Sequence, residues 1–173
     1  MSKEIKITFP DGNHKVMHSG ITPLDIAKSI SSGLGKSLLA VKYNNELIEP
    51  NSPLSIDGKI NLFTFDDFEG KKSFWHSSSH IMAQVLEELY PGIKLTIGPP
   101  IENGFYYDVD LEENKISEND FPKIEKRMLE IAREKHIFYL KNISKSEAIK
   151  YYTDKKNEYK IELLNDLNDG EIT

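Results

Sequence analysis

The sequence predicts an α+β protein built in two consecutive parts, and three observations carry that prediction. Residues 1–64 alternate short β-type runs around one capped amphipathic helix. A polar stretch bearing a glycine follows, Asp66-Asp67-Phe68-Glu69-Gly70-Lys71-Lys72, and reads as a linker with the boundary near 65–72. Residues 65–173 then mix helix-period and strand-period runs around a helix carrying two histidines one turn apart. A chain of 173 residues with 38% hydrophobic content has room for two small folded domains.

Each element of the first part has a local reason. Ile5-Lys6-Ile7-Thr8-Phe9 alternates like a half-buried strand, Pro10-Asp11-Gly12-Asn13 is a turn, and His14 to His18 is the returning strand. Thr22-Pro23-Leu24-Asp25 opens a helix: Thr22 caps it, Pro23 suits the first turn and Asp25 completes a short capping box. Leu24, Ala27 and Ile30 or Ile26 face inward, and Gly33 ends the helix. Leu38 to Tyr43 is a strand, Asn44-Asn45 a turn, Glu46-Leu47-Ile48 a short return and Ile60 to Phe65 a last strand. The order β-β-α-β-β-β predicts a ubiquitin-like β-grasp, in which a small sheet covers one helix so that both apolar faces are buried. Gly33-Leu34-Gly35-Lys36-Ser37 invites a phosphate-loop reading, which fails because Ile30 stands where the pattern needs glycine. A helix stop followed by a turn suffices there.

In the second part, Phe74, Trp75, Ile81, Met82, Val85, Leu86 and Leu89 recur at helical spacing from Phe74 to about Tyr90, and Pro91-Gly92 stops them. His76 and His80 lie nearly opposite that stripe, in line with Ala83 and Glu87. Leu95-Thr96-Ile97 and Gly104 to Leu111 read as strands of an antiparallel sheet. Phe105, Tyr107, Val109 and Leu111 share one face of the second strand; Tyr106, Asp108 and Asp110 share the other. Ser117 and Asp120 cap a helix carrying Phe121, Ile124, Met128 and Ile131, and Ile137 to Leu140 is a strand. Ser144-Lys145-Ser146-Glu147 is a capping box opening a helix to about Lys155. Tyr159 to Leu164 alternates like a strand that sets Lys160 opposite Tyr159 and Ile161. The end, Gly170-Glu171-Ile172-Thr173, starts a new β-like run, so the expectation is a piece of a longer polypeptide.

Composition excludes several classes. The chain has no cysteine, which rules out disulfides, thiolate zinc sites and cysteine nucleophiles within it and points to a cytoplasmic protein. No apolar run approaches the roughly 20 residues of a membrane span, and the N-terminus lacks a signal-peptide apolar region. The net charge of −6 argues against a generic nucleic-acid binder. Charge is uneven, however: residues 121–160 hold 11 Lys and Arg against 6 acids, whereas residues 65–120 hold 4 against 12. Any phosphate contact is therefore expected on the basic segment, at Lys123, Lys126 and Arg127. His76 and His80 at i, i+4 can share one substrate or one metal, or form a solvated face, and spacing alone leaves these open. His14 and His18 share the spacing in a strand, where four residues span about 13 Å, too far for one ion. Ser77 stands where a zinc protease of the H-E-x-x-H type keeps its glutamate.

Taken together, these residues resemble the N-terminal region of bacterial-type threonyl-tRNA synthetases, over essentially the whole chain. Residues 1–64 resemble the TGS domain, itself a β-grasp, and residues 65–173 the N-terminal part of the editing domain that follows it. His76-Ser77-Ser78-Ser79-His80 matches the first editing motif, H-x-x-x-H. Ile97-Gly98-Pro99 and Asn103-Gly104-Phe105-Tyr106-Tyr107-Asp108-Val109 follow in the family's order, and Tyr159-Lys160 sits where the family keeps a functional lysine. A related pair of motifs occurs in alanyl-tRNA synthetase editing domains, but the β-grasp in front favours the threonyl family.

The resemblance implies a site that hydrolyses mischarged Ser-tRNA(Thr). His76 and His80 would orient substrate or water, Lys160 would act as cationic donor near the ester, and Tyr107, Tyr106 and Gly98 would line the substrate pocket. It implies no metal at this site and no cofactor in this chain; ATP, Mg and a catalytic-core zinc belong to the full-length ligase. The family's second editing motif, C-x-x-x-H, and its aminoacylation core lie beyond residue 173, so the isolated chain is expected to be inactive or nearly so. Implied partners are tRNA(Thr) and Ser-tRNA(Thr), with no membrane, and homodimerisation of the full-length enzyme through regions absent here. Two readings from other classes stand beside this one: a non-catalytic RNA-binding or regulatory TGS module, and a free-standing metal-dependent hydrolase.

Overall fold

The computed structural model describes residues 3–136, 141–168 and 172, and the chain divides into two compact units, Met1–Trp75 and His76–Thr173. The strand expected over 137–140 and the β-like run at the C-terminus lie outside the described residues, Ile172 apart.

The first unit is a five-stranded sheet in the order β2-β1-β5-β3-β4, made of β1 (Glu4–Thr8), β2 (His14–His18), β3 (Ala40–Tyr43), β4 (Glu46–Ile48) and β5 (Gly58–Phe63). β1 and β5 pair in parallel and the other neighbours antiparallel, which is the β-grasp arrangement. Alternation in β1 buries Ile5 and Ile7 and exposes Glu4 and Lys6. Those two isoleucines meet Ile26 of α1 (Pro23–Ile30), with Val41, Tyr43, Leu54 and Ile60 completing the core. Thr22 caps α1 by accepting from the Asp25 N–H at 3.1 Å. Asn44 and Asn45 both take positive φ, 50° and 68°, the backbone that a two-residue hairpin between β3 and β4 requires.

Two expectations fail in this unit. The run expected to be a turn after α1 is a short helix, α2 (Ser32–Ser37), because Ser31 serves as C-cap of α1 and then accepts from the Leu34 N–H at 3.0 Å as N-cap of α2. The polar stretch read as a linker is largely helical as well. α3 runs from Phe68 to Leu89 and crosses the division between the units. Its first two turns are tied to β3 by a Lys42–Glu69 ion pair at 2.7 Å and to the residue just ahead of β3 by Ser73 Oγ donating to the Leu39 carbonyl at 3.1 Å. Gly70 is a contact glycine there: a Cβ on it would lie 1.8 Å from the Thr64 carbonyl oxygen.

In the second unit the sheet content is smaller than expected. β6 (Lys94–Leu95) pairs with β9 (Val109–Asp110), and β7 (Pro100–Ile101) with β8 (Gly104–Phe105), both antiparallel. Ala83, Val85 and Leu86 of α3 form a core with Ile93, Leu95 and with Ile124 and Ile131 of α4 (Phe121–Glu134). Phe121, expected on the inner face, is 49% exposed: it sits at the first position of α4, ahead of the turn that reaches the core. Ser117 and Asp120 form the expected capping box ahead of α4, around a single 3₁₀ turn. Ser144 and Glu147 form the other, opening α5 (Lys145–Asp154). A second small core joins Ala148 of α5 to Leu164 and Ile172.

The run Tyr159 to Leu164, expected to be a strand, is part of a helix, α6 (Glu158–Asn165). Its apolar residues are too few to fix a period, and the cap decides: Asn157 Oδ1 accepts from the Lys160 N–H at 3.1 Å.

The close approach of α3 to the end of β5 is testable. Gly70→Ala should destabilise the chain by about 1–3 kcal/mol in urea unfolding, the usual cost of forcing atoms into a filled space. Gly33→Ala, inside α2 with only a 3.8 Å neighbour, should be neutral or stabilising, because alanine is the better helix former.

Candidate functional site

The site is built on the half of α3 that lies in the second unit. Burial of Ser79, Ala83, Val85 and Leu86 fixes the helix rotation, and Ser79 Oγ donates to the His76 carbonyl at 2.7 Å. His76 and His80 project side by side, with Nε2 to Nε2 at 3.0 Å and rings nearly perpendicular at 88°. One imidazole donates and the other accepts. With both rings neutral their tautomers are complementary: the donor keeps its lone pair on Nδ1, the acceptor its N–H on Nδ1. Ala83, in line with the pair, is buried, while His76, His80 and Glu87 on the same face remain exposed.

Lys160 lies on the first turn of α6 and is half-buried. Burial of its side chain pulls the ammonium pKa below the ordinary lysine value, and the Glu87 carboxylate opposes that shift. His80 keeps an exposed edge, yet its pKa is also pushed down, first by burial and then by the charges of His76 and Lys160. Lys160 and His80 therefore face the same space, although the strand alternation used to orient Lys160 does not exist; an early position in α6 does that work.

Tyr107 is half-buried, packs on the core formed by α3 and α4, and has its phenol pKa raised by burial, then by Tyr152 and Glu87. Gly98 is required by that ring: a Cβ there would fall 2.3 Å from it. The backbone pairing of Asp108 N–H to the Ile97 carbonyl, at 2.9 Å, brings the two together. Tyr106 alternates outward and is 45% exposed; none of the described interactions linking Tyr107, Glu87, Lys160 and His80 includes it.

Three participants had no role assigned from the sequence. Glu87 lies two turns beyond His80 on the same face, and its carboxylate accepts from Lys155 Nζ at 3.2 Å and acts on Lys160, Tyr107 and Tyr152. Tyr152 stands beside Tyr107 as a second half-buried phenol. A cavity of about 190 Å³ is lined by Glu87, Gly92, Ile93, Lys155 and Asn157. The repeat of His76, His80 and Glu87 along one helical face was the available signal for Glu87; for Asn157 it was a helix N-cap hidden under a strand-like alternation.

Among the described residues no group of three or more His, Asp or Glu is placed to hold a metal ion, and the two imidazoles are bonded to each other. In the basic segment, Arg127 is committed within the protein to Glu88 at 2.7 Å and Glu134 at 3.1 Å, whereas Lys123 and Lys126 are exposed. Among the described residues no helix is long and apolar enough to cross a membrane.

The five-stranded first unit has the order and pairing of a β-grasp, and sequence comparison places it: residues 5–64 match the TGS domain family. The chain as a whole matches the N-terminal region of threonine–tRNA ligases. It is 55% identical to that of Flavobacterium psychrophilum and 55% identical to that of Flavobacterium johnsoniae, each over 98% of this chain. It is 48% identical to that of Bacteroides thetaiotaomicron, again over 98% of this chain. The chain spans 26% of the length of each of these ligases.

The His80 environment has a pH signature. Its folded pKa lies below the ordinary 6.5, so the unfolded chain takes up the proton first as pH falls. Its contribution to stability is fully present above 6.5 and lost as pH falls through the folded pKa. Thermal unfolding on either side of that window should show a smaller acid-induced drop in Tm for His80→Gln than for the wild type.

Proposed function

We propose that this chain is the N-terminal part of a threonine–tRNA ligase, with residues 1–64 its TGS domain and residues 65–173 the first part of a domain that hydrolyses Ser-tRNA(Thr). The observation that carries the reading is the pair His76–His80 on one helix, 3.0 Å apart, within reach of the charge of Lys160 on another.

The chemistry follows from the substrate. Serine is threonine less one methyl group, and a hydrophobic pocket discriminates such a difference by only about 1–3 kcal/mol. A second site must therefore hydrolyse the wrong ester. Water attacks the carbonyl carbon, the proton it sheds needs an acceptor, and the developing oxyanion needs a donor; its collapse breaks the bond from the carbonyl carbon to the ribose oxygen, which leaves as a hydroxyl by taking that proton, and serine departs as the free acid. In the histidine pair the ring that donates through Nε2 carries the basic Nδ1, and histidine is poised near neutrality for this task. Lys160 supplies the cationic donor to the oxyanion, in surroundings that strengthen its field by excluding water. The terminal adenosine lies toward Tyr107 and Tyr106. ATP, Mg, a catalytic-core zinc and homodimerisation belong to the ligase as a whole, a cytoplasmic enzyme acting on tRNA(Thr).

The test is Ser-tRNA(Thr) hydrolysis by the ligase that carries this chain. Lys160→Ala and His80→Ala should each lower it by about 100-fold or more, the usual worth of a positioned acid or base, while threonylation stays at the wild-type rate. Unchanged hydrolysis in both variants would leave a TGS module that binds RNA without editing.

A further inference from the structure

Lys160 is reached through three consecutive residues, and each is fastened to the β6–β9 ladder. Asn157 Nδ2 donates to the Leu95 carbonyl at 2.9 Å. Glu158 pairs with Lys94 at 2.8 Å, and the Tyr159 hydroxyl donates to Asp110 at 2.8 Å. The three links differ in weight. The Glu158 side chain is 72% exposed, so its pair with Lys94 is screened. Asn157 is only 7% exposed, one of two buried polar residues among those described. Its amide is used at both ends, since Oδ1 accepts from the Lys160 N–H at 3.1 Å while Nδ2 holds Leu95. Its own N–H donates to the Tyr152 carbonyl at 2.9 Å. One residue thus joins α5, β6 and α6.

The segment ahead of it closes α5: Lys156 takes the left-handed φ of 53° common at a helix end, its N–H donating to the Thr153 carbonyl at 3.0 Å, so the chain turns at a fixed point before Asn157. Cutting the Asn157 amide leaves the Leu95 carbonyl and the Lys160 N–H to find new partners in a buried place, a larger loss than that of an exposed cap.

We propose that Asn157 is a positioning residue for the ester hydrolysis, fastening the first turn of α6 to β6 so that the Lys160 ammonium is held against His80. This rests on the functional reading above. A misplacement of about 1 Å in such a site can cost about 100-fold in rate, so the tether bears on turnover more than on substrate binding. A helix cap alone would need only the acceptor oxygen. The donor half, aimed at Leu95 on a different element, is what makes the residue a spacer between sheet and lysine.

The experiment is an NMR titration of the His80 ring in the 173-residue chain, for wild type, Asn157→Ser, Lys160→Met and the double variant. Serine keeps a capping oxygen and loses the reach to Leu95, so the fold is retained and the tether is cut. Lys160→Met should raise the His80 pKa by removing the neighbouring charge. Asn157→Ser should raise it in the same direction by letting that charge drift, and the double variant should add nothing to Lys160→Met. An Asn157→Ser titration that overlays the wild type, or a double variant whose shift is the sum of the two, overturns the proposal. A parallel measurement of Ser-tRNA(Thr) hydrolysis by the ligase carrying the chain separates the two levels. Asn157→Ser should lower kcat by about tenfold or more with KM little changed, within the range for misplacement. If Lys160→Met itself leaves hydrolysis intact, the functional reading fails whatever the titration shows; if Lys160→Met abolishes it and Asn157→Ser does not touch it, this inference alone fails.

Discussion

The site depends on how the second half of α3 is turned. Val85 and Leu86 are buried, and because successive residues step by 100° their burial sets the direction of His76, His80 and Glu87, which form a row bordered by the buried Ser79 and Ala83. The 3.0 Å contact between the two histidines follows from their one-turn spacing, and it restricts which nitrogen of each ring can take a proton. Everything else at the site is brought to this row: Tyr107 by the pairing of Asp108 with Ile97, Lys160 by the cap of α6.

Electrostatically the site is a compensated cluster. Lys155 and Lys160 sit about a single carboxylate, Glu87, which also raises the phenol pKa values of Tyr107 and Tyr152. Partial burial disfavours charge on both Lys160 and His80, and each has a neighbour that tips the balance further: Glu87 restores some charge to Lys160, Lys160 removes some from His80. On the proposed function, a histidine whose charge is disfavoured beside an ammonium would divide the labour of ester hydrolysis, one group taking a proton and the other meeting a developing negative oxygen.

Much of this was legible in the sequence wherever a single local signal decided the outcome. Alternation in Ile5 to Thr8, the asparagine pair at 44 and 45 and the Ser144–Glu147 box each correspond to the structure found. Three runs were misread because two signals competed. Gly33 to Ser37 carries turn residues, but Ser31 can cap a second helix and the chain takes that option. Asp66 to Lys72 looks like a linker by polarity, yet its glycine is there for contact with Thr64 and most of its residues are good helix formers. Tyr159 to Leu164 alternates as a strand does, and only the asparagine before it marks the helix. Lys160 resembles a family position, but a helix capped by Asn157, and not a strand, carries it, and no periodicity reports that cap.

On the proposed function, His76, His80, Tyr107 and Lys160 form one pocket for a seryl ester of adenosine. The direct measurement is an NMR titration of the chain with a non-hydrolysable seryl-adenosine analogue, following the two imidazoles, the Lys160 ammonium and the Tyr107 ring. The account predicts that all four move together with a single dissociation constant, and that Lys160→Met weakens it. Signals that move with separate midpoints, or that stay fixed while residues elsewhere respond, would contradict it.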